Sequence, residues 1–195
     1  MNLILYTTLV AVLSTGLLHV EGVIKPNTDF NPDSCSLYCA ASPDLSVSNH
    51  LTPQGKVQYD ANQMADGDIR TAWIASNGLG EWFEFTFTAE GFHPDIPLDN
   101  QRTGVDSLYI MNGYDKSSQH WRDHARIHKL EMSIDGKPVA VITLKDDHRP
   151  QHVALPRTLL RRSMRFRFTV RSVYPGTKFQ EVAVTEARLD GFGHH

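Results

Sequence analysis

Along much of this chain, apolar residues recur at every second position, which is the period of a half-buried strand. Between Gly80 and Phe87, the side chains of Phe83, Phe85 and Phe87 fall on one face. His128 to Asp135 places Leu130, Met132 and Ile134 together. Asp135-Gly136 then offers the left-handed backbone that a tight hairpin needs, and Val139 to Leu144 returns antiparallel. The clearest run is Met164 to Val173. There Met164, Phe166, Phe168 and Val170 alternate with Arg165, Arg167, Thr169 and Arg171. Such contrast predicts one buried and one wet face. Val105 to Met111 and Val182 to Leu189 complete the predicted strands. No segment carries a sustained helical stripe, and there is no repeat or low-complexity tract. The pattern predicts an all-β sandwich or jelly roll.

The 195 residues suffice for one domain with a full core and are few for two. A net charge of −3 predicts no strong attraction to nucleic acid or to an anionic membrane. The arginines Arg157, Arg161, Arg162, Arg165, Arg167 and Arg171 form either a basic stripe or a solvated outer face, and the acidic balance favours the second. With ten histidines, surface charge should change between about pH 7 and 5.

The N-terminus reads separately from the domain. Leu3 to Leu18 is an apolar run, and Val20-Glu21-Gly22 places suitable residues before a cut ahead of Val23. Residues 1–22 therefore read as a secretory signal peptide. No Lys or Arg precedes the run, which leaves an uncleaved membrane anchor as the alternative. No other segment is long and apolar enough to span a membrane. Residues 23–39 read as an extended leader, 40–191 as the domain and 192–195 as a tail. Cys35 and Cys39 could close a small disulfide in a secreted chain or remain free thiols. The expected location is secreted, periplasmic or extracellular.

Four runs resemble a known family. Asn62-Gln63-Met64-Ala65-Asp66-Gly67-Asp68-Ile69-Arg70-Thr71-Ala72-Trp73 resembles the signature of discoidin-like (coagulation-factor type C) domains. Gly78 to Trp82, Ile110 to Ser117 and Ser172 to Lys178 narrow the resemblance to the NAD glycohydrolase translocation domain, a branch of the galactose-binding-like superfamily. It covers about Ala40 to Gly191. It implies a discoidin/galactose-binding-like jelly-roll β-sandwich and carbohydrate recognition. It does not imply NAD hydrolysis, because nothing here resembles the separate enzyme domain. Where relatives often carry Asn-Asn-Arg, this chain has His124-Ala125-Arg126, so its ligand could differ.

The Asp66 to Trp73 loop sets carboxylates and a hydroxyl around a glycine, which suits a hard cation. By analogy with the superfamily, Asp66, Asp68, Thr71 and Glu186 would hold a structural calcium, helped by carbonyls near Gln63 and Thr185. Otherwise Asp66 and Asp68 cap backbone N–H groups in a metal-free turn. Trp73 is expected in the core below. For ligand contact the candidates are Asn112, Tyr114, Lys116, Trp121, Arg126, Tyr174 and Lys178. Flat apolar faces beside amide and cationic donors suit sugars, whose C–H faces stack while their hydroxyls hydrogen-bond. The alternative is that the tyrosines merely brace loops. His120, His124 and His128 could bind zinc on a helix, but the segment runs into a strand.

No hydrolase, metalloprotease, phosphate-loop or redox motif is present. The first expectation is a secreted, non-catalytic module binding a glycan or cell-surface glycoconjugate. The second is a domain that docks an extracellular protein. A hydrolase is the weakest reading for want of such a motif, and it stays open only because a carboxylate pair is defined in space and not in sequence.

Overall fold

The computed structural model describes residues 16–24, 37–38, 40–93 and 103–192. Its strands are β1 (Leu18–Ile24), β2 (Asp44–Val47), β3 (Trp73–Ile74), β4 (Trp82–Phe87) and β5 (Gly104–Asn112). After a short helix α1 (Ser118–Asp123) come β6 (Arg126–Ile134), β7 (Lys137–Thr143), β8 (Gln151–Leu159), β9 (Met164–Tyr174) and β10 (Ala183–Phe192). One layer runs β2-β4-β9-β6-β7 and the other β8-β5-β10-β3, with β1 between β7 and β8. This is the jelly-roll sandwich that the alternation predicts.

The alternating faces meet as expected. Phe83, Phe85 and Phe87 of β4 lie against Phe166 and Phe168 of β9, all essentially without solvent exposure. Phe83 and Phe168 stack with ring centroids 5.0 Å apart. Leu108 and Ile110 of β5 and Val184 and Leu189 of β10 close the core from the other layer. Trp73 is fully buried with them, and its Nε1 donates to the Asn49 carbonyl at 2.8 Å. The β6–β7 hairpin turns on Asp135 (φ 48°) and Gly136 (φ 80°), the left-handed pair that its dipeptide requires. Three of the six arginines of the outer face carry counter-ions. Arg167 donates to Glu84, Arg171 to Glu131 and Arg161 to Asp135. Opposite charges on neighbouring strands and at the turn explain this, and they interrupt the run of basic side chains.

Three findings go beyond the sequence reading. Strand β8 carries Pro156, which weakens a strand signal, and β8 nevertheless buries Gln151, Val153 and Leu155. Helix α1 has only six residues, too few to show a stripe. Leu18–Ile24 falls in residues read as signal peptide and leader, yet it lies in the sandwich, parallel to β7 at Leu18 to Glu21 and antiparallel to β8 at Gly22 to Ile24. Cys35 and Cys39 lie outside the described residues, as does the His194-His195 tail. No helix among the described residues is long and apolar enough to cross a membrane.

Strand registers bring five connections to one end. Gln151 pairs with Ile110, Arg126 with Tyr174, and the Gly113 N–H bonds the Ala183 carbonyl. The connections before β4, between β5 and β6, between β7 and β8, and between β9 and β10 therefore converge, together with the Asp66 loop.

Candidate functional site

Asn112 closes β5 and anchors the site. Its amide accepts from the Ile127 N–H at 2.9 Å and donates to the Ile127 carbonyl at 2.7 Å, and it is 1% exposed. The next residue, Gly113, has φ +100°, and a Cβ there would lie 2.6 Å from the Trp121 ring. The chain can thus turn directly under Trp121. Ser117 caps α1 with its hydroxyl, and the helix delivers Trp121 back over the turn.

Trp121 is held from two sides. Its Nε1 donates to the Asn112 carbonyl at 2.8 Å, and the Arg126 guanidinium sits 4.5 Å from its ring centre. Arg126 is itself buried. It makes a bidentate pair with Asp146 at 2.9 and 3.0 Å and donates to the His124 and Pro175 carbonyls. One guanidinium therefore ties three loops together. His148 stands edge-on to Trp121 at 6.2 Å, with Nδ1 3.5 Å from the Asp115 carboxylate. Burial pushes the Asp115 carboxyl above its ordinary range, and His148 opposes that rise.

The other predicted residues surround this pair. Lys116 is exposed beside Asp115. Tyr174 is half-buried, donates its hydroxyl to the Leu144 carbonyl at 2.9 Å and leans on His128. Lys178 binds Asp123 at 2.9 Å. Tyr114 is 4% exposed and lies between His120 and His124, whose ring centroids are 5.2 and 5.4 Å away. Burial raises the Tyr114 hydroxyl pKa and lowers that of His124. All seven residues belong to one end of the sandwich. They divide into a buried frame (Asn112, Tyr114, Arg126), a half-buried aromatic pair (Trp121, Tyr174) and two exposed lysines (Lys116, Lys178).

Asp115, Asp146, His148 and the exposed Phe179 were not among the residues singled out from sequence. Asp115 stands inside the Ile110 to Ser117 run, so that run carried a signal for it. Nothing local marks Asp146 or His148, because they meet Arg126 and Trp121 only through the β7–β8 connection.

The metal candidates are partly assembled. Asp66 accepts from the Thr71 hydroxyl at 2.9 Å and the Asp68 N–H at 2.8 Å. Asp68 turns to Arg70 in a bidentate pair, which holds its carboxyl down at about 2. Glu186 is 3% exposed, and among the described residues its Oε1 has no partner. Burial and the Asp66 carboxylate push its pKa up to about 7. Among the described residues no three acidic, histidine or cysteine side chains are gathered closely enough to form a metal cluster. His120, His124 and His128 do not converge: His120 meets Ser117, and His128 meets Ser172 across the sheet.

The two-layer jelly roll, with aromatic and polar loops at one end, defines a discoidin-like, galactose-binding-like β-sandwich. Residues 37–190 match the model of the NAD glycohydrolase translocation F5/8 type C domain, and the chain belongs to that family. The fold is shared with the CBM32-1 and CBM32-2 domains of Clostridium perfringens ZmpB, solved in complex with GalNAc. There the TM-score is 0.61 at 10% identity, over 91% of this chain and 40% of that one. It is shared too with a fragment of a putative chitobiase from Bacteroides thetaiotaomicron (TM-score 0.51, 18% identity, 87% and 99% covered). The mycobacterial arabinofuranosyltransferase AftD contains a similar region (TM-score 0.52, 15% identity), where 77% of this chain covers 11% of that protein. The chain thus spans less than half of the ZmpB and AftD chains. No curated protein matches the sequence.

Proposed function

We propose that this chain is a secreted, non-catalytic module that binds carbohydrate at the loop end of its sandwich. The observation that carries this reading is Trp121. Its ring is fixed by the Asn112 carbonyl and the Arg126 guanidinium before any ligand arrives. A preorganised aromatic face costs little further ordering, and the C–H face of a sugar ring can lie on it. Around it, Lys116, His148 and Asp115 supply donors and acceptors for hydroxyls, with Tyr174 and Lys178 at the margin. Glycan binding by the ZmpB domains, evident from their complex with GalNAc, supports the same class of ligand. Three acidic groups at this end act as counter-ions, Asp146 to Arg126, Asp123 to Lys178 and Asp147 to Arg149, which supports binding over acid–base chemistry.

A glycan array followed by calorimetric titration tests this. Wild type is expected to bind a glycan at up to millimolar concentration, Trp121→Ala to weaken it more than tenfold, and Lys116→Ala to weaken it less. Failure of wild type to bind any glycan in that range overturns the reading. Equal binding by both variants shows that the site lies elsewhere.

A second reading is supported by the exposure of Phe179 (43%) and Leu79 (64%), apolar side chains on connections at the same end. Such residues suit docking of an extracellular protein. Capture of a partner that free sugars do not displace would favour it.

The Asp66 loop we read as a structural calcium site. Asp66, Thr71 and Glu186 would hold the ion, with Asp68 joining after release from Arg70. A hard cation supplies the partner that the buried Glu186 oxygen lacks and neutralises two facing carboxylates.

A further inference from the structure

Strand β1 occupies the seam between the two layers. β7 and β8 are not hydrogen-bonded to each other, and β1 joins them. Leu18, His19, Val20 and Glu21 pair with Ala140 to Thr143, and Gly22, Val23 and Ile24 pair with Val153 to Gln151. Val20 packs on the core. A cut before Val23 would remove every residue paired with β7 and leave only Val23 and Ile24 on β8. The β7 edge would then be bare at the flank of the sandwich, and β8 would keep two of its three pairs with β1; a bare edge is an arrangement that folded proteins avoid.

We propose that the signal peptide is removed after Gly16, so that the mature protein begins at Leu17 and keeps β1 whole. This rests on the secreted reading above. The sequence allows the cut: Ser14 and Gly16 are small residues at the −3 and −1 positions, and Leu3 to Leu13 is an apolar core within the usual length of about 7–15 residues. The two glycines differ in what the fold asks of them. A Cβ on Gly22 would lie 2.5 Å from Gln151 Oε1 and 3.3 Å from Leu144. Gln151 cannot swing aside cheaply, because it is fully buried and its amide bonds Lys145 N and O at 2.8 and 2.9 Å. Gly22 also stands where β1 passes from one layer to the other. Its small size therefore has a packing reason and needs no peptidase to explain it. Gly16 is exposed, and a Cβ there meets nothing within 4 Å among the described residues. The fold does not require a glycine at that place, whereas a signal peptidase accepts only a small residue there.

The test is the intact mass and N-terminal sequence of the chain secreted from its own full-length gene. A start at Leu17 is expected. A start at Val23 overturns the proposal but leaves secretion standing, whereas a chain that stays with the cells and retains Met1 overturns both. Two purified chains, starting at Leu17 and at Val23, add an independent measurement. The longer is expected to melt higher by about 5 °C or more, since β1 completes both layers. Equal melting temperatures would remove the structural argument.

Discussion

Glu186 concentrates the electrostatics of this domain in one side chain. Its pKa, pushed up to about 7, means that the folded protein holds a proton there over a range in which the unfolded chain has already released it. Stability of the metal-stripped protein should therefore fall as pH rises from about 4.5 to about 7, through this group's contribution. The carboxylate form is the one that binds a cation, so stabilisation by calcium should grow across the same range. Scanning calorimetry is expected to show that calcium raises the melting temperature by roughly 5 °C at pH 8 and much less at pH 5. Glu186→Gln should raise the metal-free value at pH 8 and abolish the calcium response. If metal stripping moves nothing at pH 8, the calcium assignment is wrong. Asp68, by contrast, already has Arg70 as partner, and the spacing of the loop alone could not show that choice.

At the scale of elements, the β5–β6 connection depends on Asn112 and Gly113. Asn112→Ala would strip both hydrogen bonds from the Ile127 backbone in a dry place, at a cost of about 3 kcal/mol. A lowered urea midpoint with an unchanged m-value is the expected result. Gly113→Ala meets a strained φ and the Trp121 ring together, so glycan binding should drop with the ring's displacement, and tryptophan fluorescence should shift. The elements differ in how visible they are beforehand. β4, β6, β7 and β9 announce themselves because each has one dry face. β8 hides behind Pro156, α1 is too short to show a period, and β1 lies inside a segment whose composition reads as a leader. Each of these is held by its neighbours more than by its own propensity.

For the whole molecule, pairing decides how charge behaves. Three of the six outer arginines, Arg161, Arg167 and Arg171, have carboxylate partners on adjacent strands or on the β6–β7 turn, and net charge is −3. The protein is expected to pass through a heparin column at about 0.15 M salt without retention, since the net charge is acidic and half of these arginines are already neutralised. Strong retention would show that a basic face exists after all. The core should respond on a different scale. Phe168→Ala removes a ring stacked on Phe83 in a fully buried layer and should cost about 3–5 kcal/mol in denaturant unfolding.

The amino-acid sequence by itself determined the two-sheet architecture, because a period of two with apolar and charged faces has one economical burial. It also determined the family, through runs such as Asp66 to Trp73 and Ile110 to Ser117. Only the tertiary structure decided which polar residues serve the frame and which face solvent. Asn112 and Arg126 look like ligand donors along the chain, yet each is buried among partners from other elements: Ile127 of β6 for Asn112, and Asp146 and Pro175 of two connections for Arg126. Those pairings form when separate strands bring their ends together, and no local pattern of residues encodes that meeting.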